Sequence, residues 1–167
     1  MSTNTTTSSQ VFTLLEGTWT GEGRGQFPGV TSFDYRESLT FTRRDEKTLA
    51  YEQRTQKLYN DQTEWLESHW ESDFIRILEN GELELTSAQI GRTEVLTGSI
   101  KTYGNRIQIH FVSKSITNDP RMISSARTFE LEGDTLHYEM EMHTTKVAQS
   151  TSHLTITLQR AMQEKSF

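Results

Sequence analysis

Short segments of alternating apolar and polar residues, separated by turn signals, run through most of this 167-residue chain. In one of them Phe33, Tyr35, Leu39 and Phe41 share one parity, and Arg36 falls on the other. A period of two is typical of an antiparallel strand with one buried face. We predict about ten such strands, because no segment between them has the length and period of a core helix.

The connections between these strands are short, as at Asn80-Gly81 and Tyr103-Gly104-Asn105. Sequential strands leave two open edges unless the sheet closes on itself. The chain is therefore predicted to be all-β, a single antiparallel up-and-down β-barrel of the lipocalin type. About ten strands enclose more volume than side chains fill, which predicts a ligand cavity. The short apolar segment from Val11 to Leu15 predicts one or two turns of helix before the first strand.

The sequence is consistent with one domain between two short tails. We expect a barrel domain over residues 11–162, a disordered tail over residues 1–10 and a C-terminal tail over residues 163–167. A net charge of −6 argues against nucleic-acid or anionic-membrane binding. The N-terminal residues lack the regions of a signal peptide, and no run of about 20 apolar residues occurs. We predict a cytoplasmic monomer or weak homodimer. The absence of cysteine excludes disulfides and thiolate-ligated haem.

Glycine is concentrated where the first strand is expected, at Gly17, Gly21, Gly23 and Gly25, with Trp19 among them. Glycine packs nothing in a strand and usually marks a bulge, a bend or a close backbone approach. An ordinary Gly-rich strand pair is the alternative. We predict that Trp19 is structural, with its ring against the small neighbours Gly17 and Gly21.

Five histidines are the main candidates for chemistry, and none has metalloprotease or zinc-finger spacing. Strand parity places His110, His137 and His143 on outer faces, which leaves His69 and His153. The same argument predicts an outer position for paired carboxylates and for two arginines, Glu82, Glu84, Glu139, Glu141, Arg36 and Arg127. No phosphate-binding loop or nucleophilic serine motif is present.

A family resemblance rests first on residues 17–23, which read GTWTGEG and match the GxWxGxG signature of the nitrobindins. The similarity continues to about Arg160, through SFDYRESLTF, LAYEQRTQKL, HWESDFIR, ARTFEL and SHLTITLQR. Nitrobindins are haem-binding β-barrels that look like fatty-acid-binding proteins. The resemblance implies one haem b per chain, reversible NO binding by the ferrous form and isomerisation of peroxynitrite to nitrate by the ferric form.

The resemblance also implies site residues. Residues 152–160, SHLTITLQR, match the context of the family's proximal ligand, which makes His153 the axial ligand of the iron and the catalytic residue. His69, Gln89 and Met142 match family pocket positions, with His69 on the distal side. Gly29 stands where the family has a pocket threonine.

The chain departs from the family pattern at several places. Besides Gly29, residues 146–152 form a longer segment, and Asp73 replaces a glycine. By strict alternation His153 opposes Leu154, so His153 lies either at the rim before a bulge or on the outer face. Two alternatives to an enzyme therefore stay open. One is a carrier barrel for a fatty acid or another apolar molecule, and the other is haem transport or sensing.

Overall fold

The computed structural model of the protein describes residues 7–25, 32–58, 63–147 and 149–162. Within these ranges it contains one helix and ten strands. The elements are α1 (Ser8–Leu15), β1 (Gly17–Gly25), β2 (Phe33–Arg43), β3 (Thr48–Leu58), β4 (Leu66–Ile77), β5 (Leu83–Gln89), β6 (Arg92–Tyr103), β7 (Arg106–Thr117), β8 (Met122–Glu132), β9 (Thr135–Thr144) and β10 (Thr151–Arg160).

The ten strands form one closed antiparallel barrel. Each strand pairs with its neighbours in sequence, and β1 closes the barrel by pairing with β10. Tight turns that need a left-handed backbone carry glycine, as at Gly81 with a φ of 84° and Gly133 with a φ of 59°. The predicted fold class is confirmed.

Helix α1 covers the end of the barrel at which β1 begins. Thr7 is its N-cap and forms a capping box with Gln10, so Ser8 to Gln10, which the sequence analysis assigned to the tail, are helical. Three apolar side chains of the helix, Val11, Phe12 and Leu15, are buried in the core, whereas Leu14 is exposed. In the described part of the chain, no helix has the length and apolar character needed to cross a membrane.

The glycines of β1 share the inward face of the strand with Trp19. A Cβ on Gly21 would lie only 2.4 Å from the carbonyl oxygen of Thr157, so β1 and β10 approach closely there. Trp19 is fully buried, and its indole N–H donates to the carbonyl of Leu15 at 2.8 Å. The guanidinium of Arg160 lies 4.1 Å from the ring centroid. These contacts anchor the helix to the barrel.

Aromatic side chains fill the half of the interior nearest the helix. Phe41 stacks on Tyr51 with ring centroids 5.1 Å apart, and Phe129 stacks on Tyr138 at 4.9 Å. Phe111 meets Phe129 edge to face at 6.3 Å. These rings occupy the interior at the helix end of the barrel.

Candidate functional site

A cavity of about 240 Å³ lies at the end of the barrel opposite α1. The end of β3, the start of β4, the end of β5 and the facing ends of β9 and β10 surround it. Met140, Met142 and Leu154 supply an apolar wall, and polar side chains supply the rest. The topology therefore brings together residues that are far apart in the sequence.

Three of the predicted site residues, His69, Gln89 and Met142, line this cavity together. His69 comes from β4, Gln89 ends β5 and Met142 lies near the end of β9. Met142 is buried on the inner face, as the alternation of its strand predicted. Gly29 lies outside the described residues.

His153 is placed by a bulge. The register of β10 against β9 shifts between Ser152 and Leu154, and His153, which lies at this shift, is buried, with 3% of its surface exposed. The bulge alternative is therefore the one that the structure contains. Leu154, the next residue, lines the cavity, whereas His153 is not among the described residues that line it. The Nδ1 atom of His153 lies 2.6 Å from the carbonyl oxygen of Thr151.

The His153 ring is oriented by that contact. A carbonyl oxygen can only accept, so Nδ1 carries the proton and Nε2 keeps its lone pair. Metal-bound histidines usually donate their second ring nitrogen to a carbonyl or carboxylate in this way. The tautomer that this arrangement selects has its lone pair on Nε2, the form of the neutral ring in which imidazole coordinates metals.

Gln89 is held in place by charged neighbours. Its Oε1 accepts from Nη2 of Arg92 at 2.9 Å, and its Nε2 lies 3.2 Å from Oε2 of Glu94. Arg92 also approaches Glu94 and Asp119, at 3.2 Å and 4.0 Å. A side chain fixed by this many partners presents one orientation to the cavity.

The floor of the cavity rests on an ion-pair cluster centred on Arg127. The prediction that Arg127 is exterior is wrong, because its side chain is 0% exposed and lies inside the barrel. Arg127 pairs with Glu71, with Asp73 at 3.4 Å and with Glu94 at 2.9 Å. A buried arginine requires such partners, since an unpaired charge in the interior is very costly. The exterior assignment of Arg36 is confirmed.

Two carboxyl groups in this cluster have opposite pKa shifts. Burial would raise the pKa of Glu71, but the Arg127 charge and hydrogen bonds from Asp73 and His69 hold it below its ordinary value. Burial, together with the hydrogen bond and charge of Glu71, raises the pKa of Asp73 to about 10. At neutral pH Glu71 is therefore ionised, and Asp73 is the neutral partner that carries a proton.

The acidic members of the interior were not recognised from the sequence. Glu37, Glu71, Asp73 and Glu94 are all buried. Each shares the parity of apolar neighbours on its strand, as Asp73 does with Ile75. This alternation is the feature of the sequence from which their inward position could have been predicted. Within the described ranges, no three His, Asp or Glu side chains are grouped as a metal ion would require.

Comparison with known proteins identifies relatives of this chain. A family model described as a THAP4-like, heme-binding beta-barrel domain matches residues 9–160. A peroxynitrite isomerase 1 from Mycolicibacterium paratuberculosis is 35% identical over 77% of this chain and 80% of its own length. A peroxynitrite isomerase from Nocardia farcinica is 32% identical over 87% of this chain and 86% of its own length. The crystal structure of Rv2717c from M. tuberculosis superposes with a TM-score of 0.82 at 26% identity, covering 95% of this chain and all of that one.

Proposed function

This chain belongs to the THAP4-like, heme-binding β-barrel family, the nitrobindins, and on that premise we propose that it binds haem b in the cavity and isomerises peroxynitrite to nitrate. We further propose that one haem binds per chain, that His153 is its axial ligand, and that the ferrous form binds NO. His69 and Gln89 line the site from β4 and β5, and Met142 lines it from β9, the strand that pairs with the strand of His153. The proposal draws on the family match over residues 9–160 and on the chemistry of the residues around the cavity.

The observation that carries this proposal is the environment of His153. Its ring is buried beside the cavity wall, and the contact of Nδ1 with the Thr151 carbonyl leaves Nε2 as the donor atom. This donor fits haem iron, which takes a single neutral imidazole as a proximal ligand. When bound, haem would supply a Lewis-acidic iron with an open sixth position.

His69 is suited to a role opposite the proximal ligand. Its Nε2 lies 3.1 Å from the Glu71 carboxylate and, because an ionised carboxylate can only accept, Nε2 donates the hydrogen. Nδ1 is the remaining ring nitrogen of a side chain that lines the cavity. In the neutral ring Nδ1 then carries the lone pair, so His69 can accept a hydrogen bond from a bound ligand that carries a proton, and in this proposal it does not coordinate the iron.

The apolar wall provides the other requirement of a haem site. Met140, Met142 and Leu154 offer contact to a flat apolar macrocycle and exclude water from one side of the cavity. Methionine side chains adapt to irregular ligand outlines because they are unbranched and flexible.

The interior argues against the fatty-acid alternative. A fatty acid would need a channel for its chain and an unpaired cation for its carboxylate. Below the cavity the barrel is filled by side chains such as Phe41 and Phe129, and Arg127 already pairs with three carboxyl groups. Arg127 is therefore not an unpaired cation for the carboxylate of a fatty acid.

Two measurements test the proposal. Purified full-length protein is titrated with haem and followed by absorbance in the Soret region; we expect saturation at one equivalent. The ferric complex is then mixed with peroxynitrite in a stopped-flow instrument; we expect faster decay than with free haem and nitrate as the product. Saturable haem binding without accelerated decay would support transport or sensing instead, and no saturable binding would overturn the proposal altogether.

A further inference from the structure

Three polar side chains point into the barrel below the cavity without a partner. Tyr35 and Glu37 lie on the inner face of β2, and Tyr138 lies on that of β9. The hydroxyl groups of both tyrosines and both carboxyl oxygens of Glu37 are buried and have no partner at hydrogen-bond geometry within the described structure, although Gln53 lies near enough to Glu37 for its side-chain hydrogen bonding to lower the pKa of that group. The charge of Glu37 raises the pKa of both tyrosines, so the three buried groups are close enough to interact electrostatically.

The glycines of the first strand leave Tyr35 and Glu37 without a β1 side chain beside them. Gly21 pairs with Glu37 and Gly23 pairs with Tyr35 across β1 and β2. Both glycines lie on the inward face of β1, so no β1 side chain covers the two polar groups. Strand pairing continues from Gly23 to Ile156 and from Ile156 to Tyr138, which sets Tyr138 two strands from β1 on the same level of the barrel.

We propose that Tyr35, Glu37 and Tyr138 form an internal binding site for ordered water beneath the cavity. Leaving a buried donor or acceptor unpaired costs more than a typical hydrogen bond gains. Buried water molecules in proteins typically make about three hydrogen bonds to polar groups that the protein leaves unpaired. Two hydroxyl groups and one carboxyl group converging on one region supply that number of partners.

The protonation of Glu37 fits a water site. Burial raises the pKa of Glu37 to about 8, with the Glu71 charge acting in the same sense and Gln53 and Arg127 opposing it. Glu37 is therefore a neutral acid at pH 7, able both to donate to water and to accept from it. The titratable and charged groups that interact electrostatically with Glu37 inside the barrel are Tyr35, Glu71, Arg127 and Tyr138.

The site adjoins the cavity without sharing its residues. Glu37 pairs across β2 and β3 with Thr55, which lines the cavity, as does the neighbouring inward residue Gln53. Water bound at Glu37 thus lies next to the cavity floor, where it can pass a proton between Glu37 and the cavity. This assignment does not depend on haem, because it rests only on the chain's own buried groups.

The test uses the purified full chain without haem. The infrared spectrum of Glu37→Gln is subtracted from that of the parent at pH 7, so that the difference reports the C=O stretch of the neutral Glu37 carboxylic acid. We expect a band that shifts in D2O. As the pH is raised, the band should disappear with a midpoint near pH 8. A high-resolution crystal structure of the parent should show ordered water density within hydrogen-bond distance of Glu37 and at least one tyrosine hydroxyl. Glu139→Gln, on the outer face of β9, is the matched control and should leave the band unchanged.

A second variant keeps the test decisive if Glu37→Gln does not fold. Tyr138→Phe removes one hydroxyl and no volume in the ring, and it should shift the frequency of the Glu37 band because one partner of the bound water is lost. The proposal is overturned if the Glu37 band is absent at pH 7. It is also overturned if the crystal structure shows the Glu37 oxygens bonded to protein groups alone.

Discussion

His69 and Glu71, two residues apart on the inner face of β4, are joined by a hydrogen bond of 3.1 Å. His69 lines the cavity, and Glu71 is buried against Arg127. One side chain pair therefore connects the surface that a ligand would touch to the ion-pair cluster inside the barrel. The orientation of His69 depends on charges that no ligand contacts.

Glu71→Gln tests this connection, because it preserves shape but removes the charge. Arg127 would keep two of its three acidic partners, of which Asp73 is neutral at neutral pH. Breaking a buried ion pair from one side typically costs about 3–5 kcal/mol. We expect a loss of this size in the free energy of unfolding, measured by urea denaturation. Glu141→Gln on β9, the same change outside the barrel interior, should stay within about 0.5 kcal/mol; equal losses would contradict the assignment.

Arg127 and Arg36 should respond oppositely to the same substitution. Arg127→Met leaves buried carboxyl groups without their counter-ion, and we expect a loss of about 3–5 kcal/mol in unfolding free energy. Arg36→Met removes an exposed guanidinium that lies 4.8 Å from the ring of Trp65, and the change should be within about 0.5 kcal/mol. Thermal and urea unfolding of both variants measure the difference. Similar values for the two would show that Arg127 is not the centre of a buried cluster.

The contrast between these arginines shows what alternation predicts and what it does not. The period of two correctly located ten strands, and it placed Phe33 and Met142 inside the barrel. Arg127 shares its parity with the buried Phe129, but its immediate neighbours Ala126 and Thr128 are small and do not mark a buried face, so the exterior prediction was wrong. Parity describes backbone geometry, whereas the assumption that charges face water fails where several charges neutralise one another.

For His153, alternation along the strand was not sufficient to predict which face the residue occupies. Strict alternation set His153 against Leu154, and a bulge at Ser152 allows both to approach the interior. A bulge adds one residue to one strand, so its position depends on the partner strand and cannot be read from β10 alone. The family resemblance supplied the residue, and only the structure supplied the local backbone that turns it inward.

Glu37 gives the stability of the fold a specific pH dependence. Its pKa is about 8 in the folded chain against an ordinary value of 4.5, so between these values the folded state binds more protons than the unfolded state. Stability due to this group therefore falls as pH rises from about 4.5 to about 8 and is constant above. Glu37→Gln removes this contribution.

Unfolding free energies of the parent and Glu37→Gln, measured across this pH range, provide the test. The variant should gain stability relative to the parent as pH rises, and the difference should level off above about pH 8. Asp73, whose pKa is about 10, contributes the same pH dependence to the unfolding free energy of both proteins. Its contribution therefore cancels when the two are subtracted. A difference independent of pH would show that Glu37 is ionised in the folded chain.

Trp19 is expected to be essential for stability. Its buried ring contacts the helix through the Leu15 carbonyl and carries the guanidinium of Arg160 on one face. Replacing a buried large aromatic side chain by alanine costs about 3–5 kcal/mol. We expect Trp19→Ala to lower the unfolding free energy by this amount, whereas Trp70→Ala, at a side chain 51% exposed, should change it little. An unchanged melting temperature for Trp19→Ala would refute the structural role.

The last prediction separates the two histidines of the cavity region. We expect His153→Ala to lose most haem affinity, because the axial bond is the one strong directional contact that the proposed site offers and apolar contact alone would remain. His69→Ala should keep the affinity and the five-coordinate spectrum, since His69 is bonded to Glu71 and has no coordinating role in the proposal. It should change mainly the kinetics of ligand binding at the open position.

The measurement is a parallel haem titration of the parent and both variants, followed by absorbance. His137→Ala is the matched control, because His137 lies on the outer face of β9, bonded to Thr157, and its removal should leave the titration unchanged. Circular dichroism of each apoprotein establishes that the barrel is intact, so that a loss of affinity reports the missing ligand and not an unfolded chain. Equal haem affinity in His153→Ala and the parent would exclude His153 as the axial ligand and would favour a barrel that binds an apolar molecule without iron chemistry.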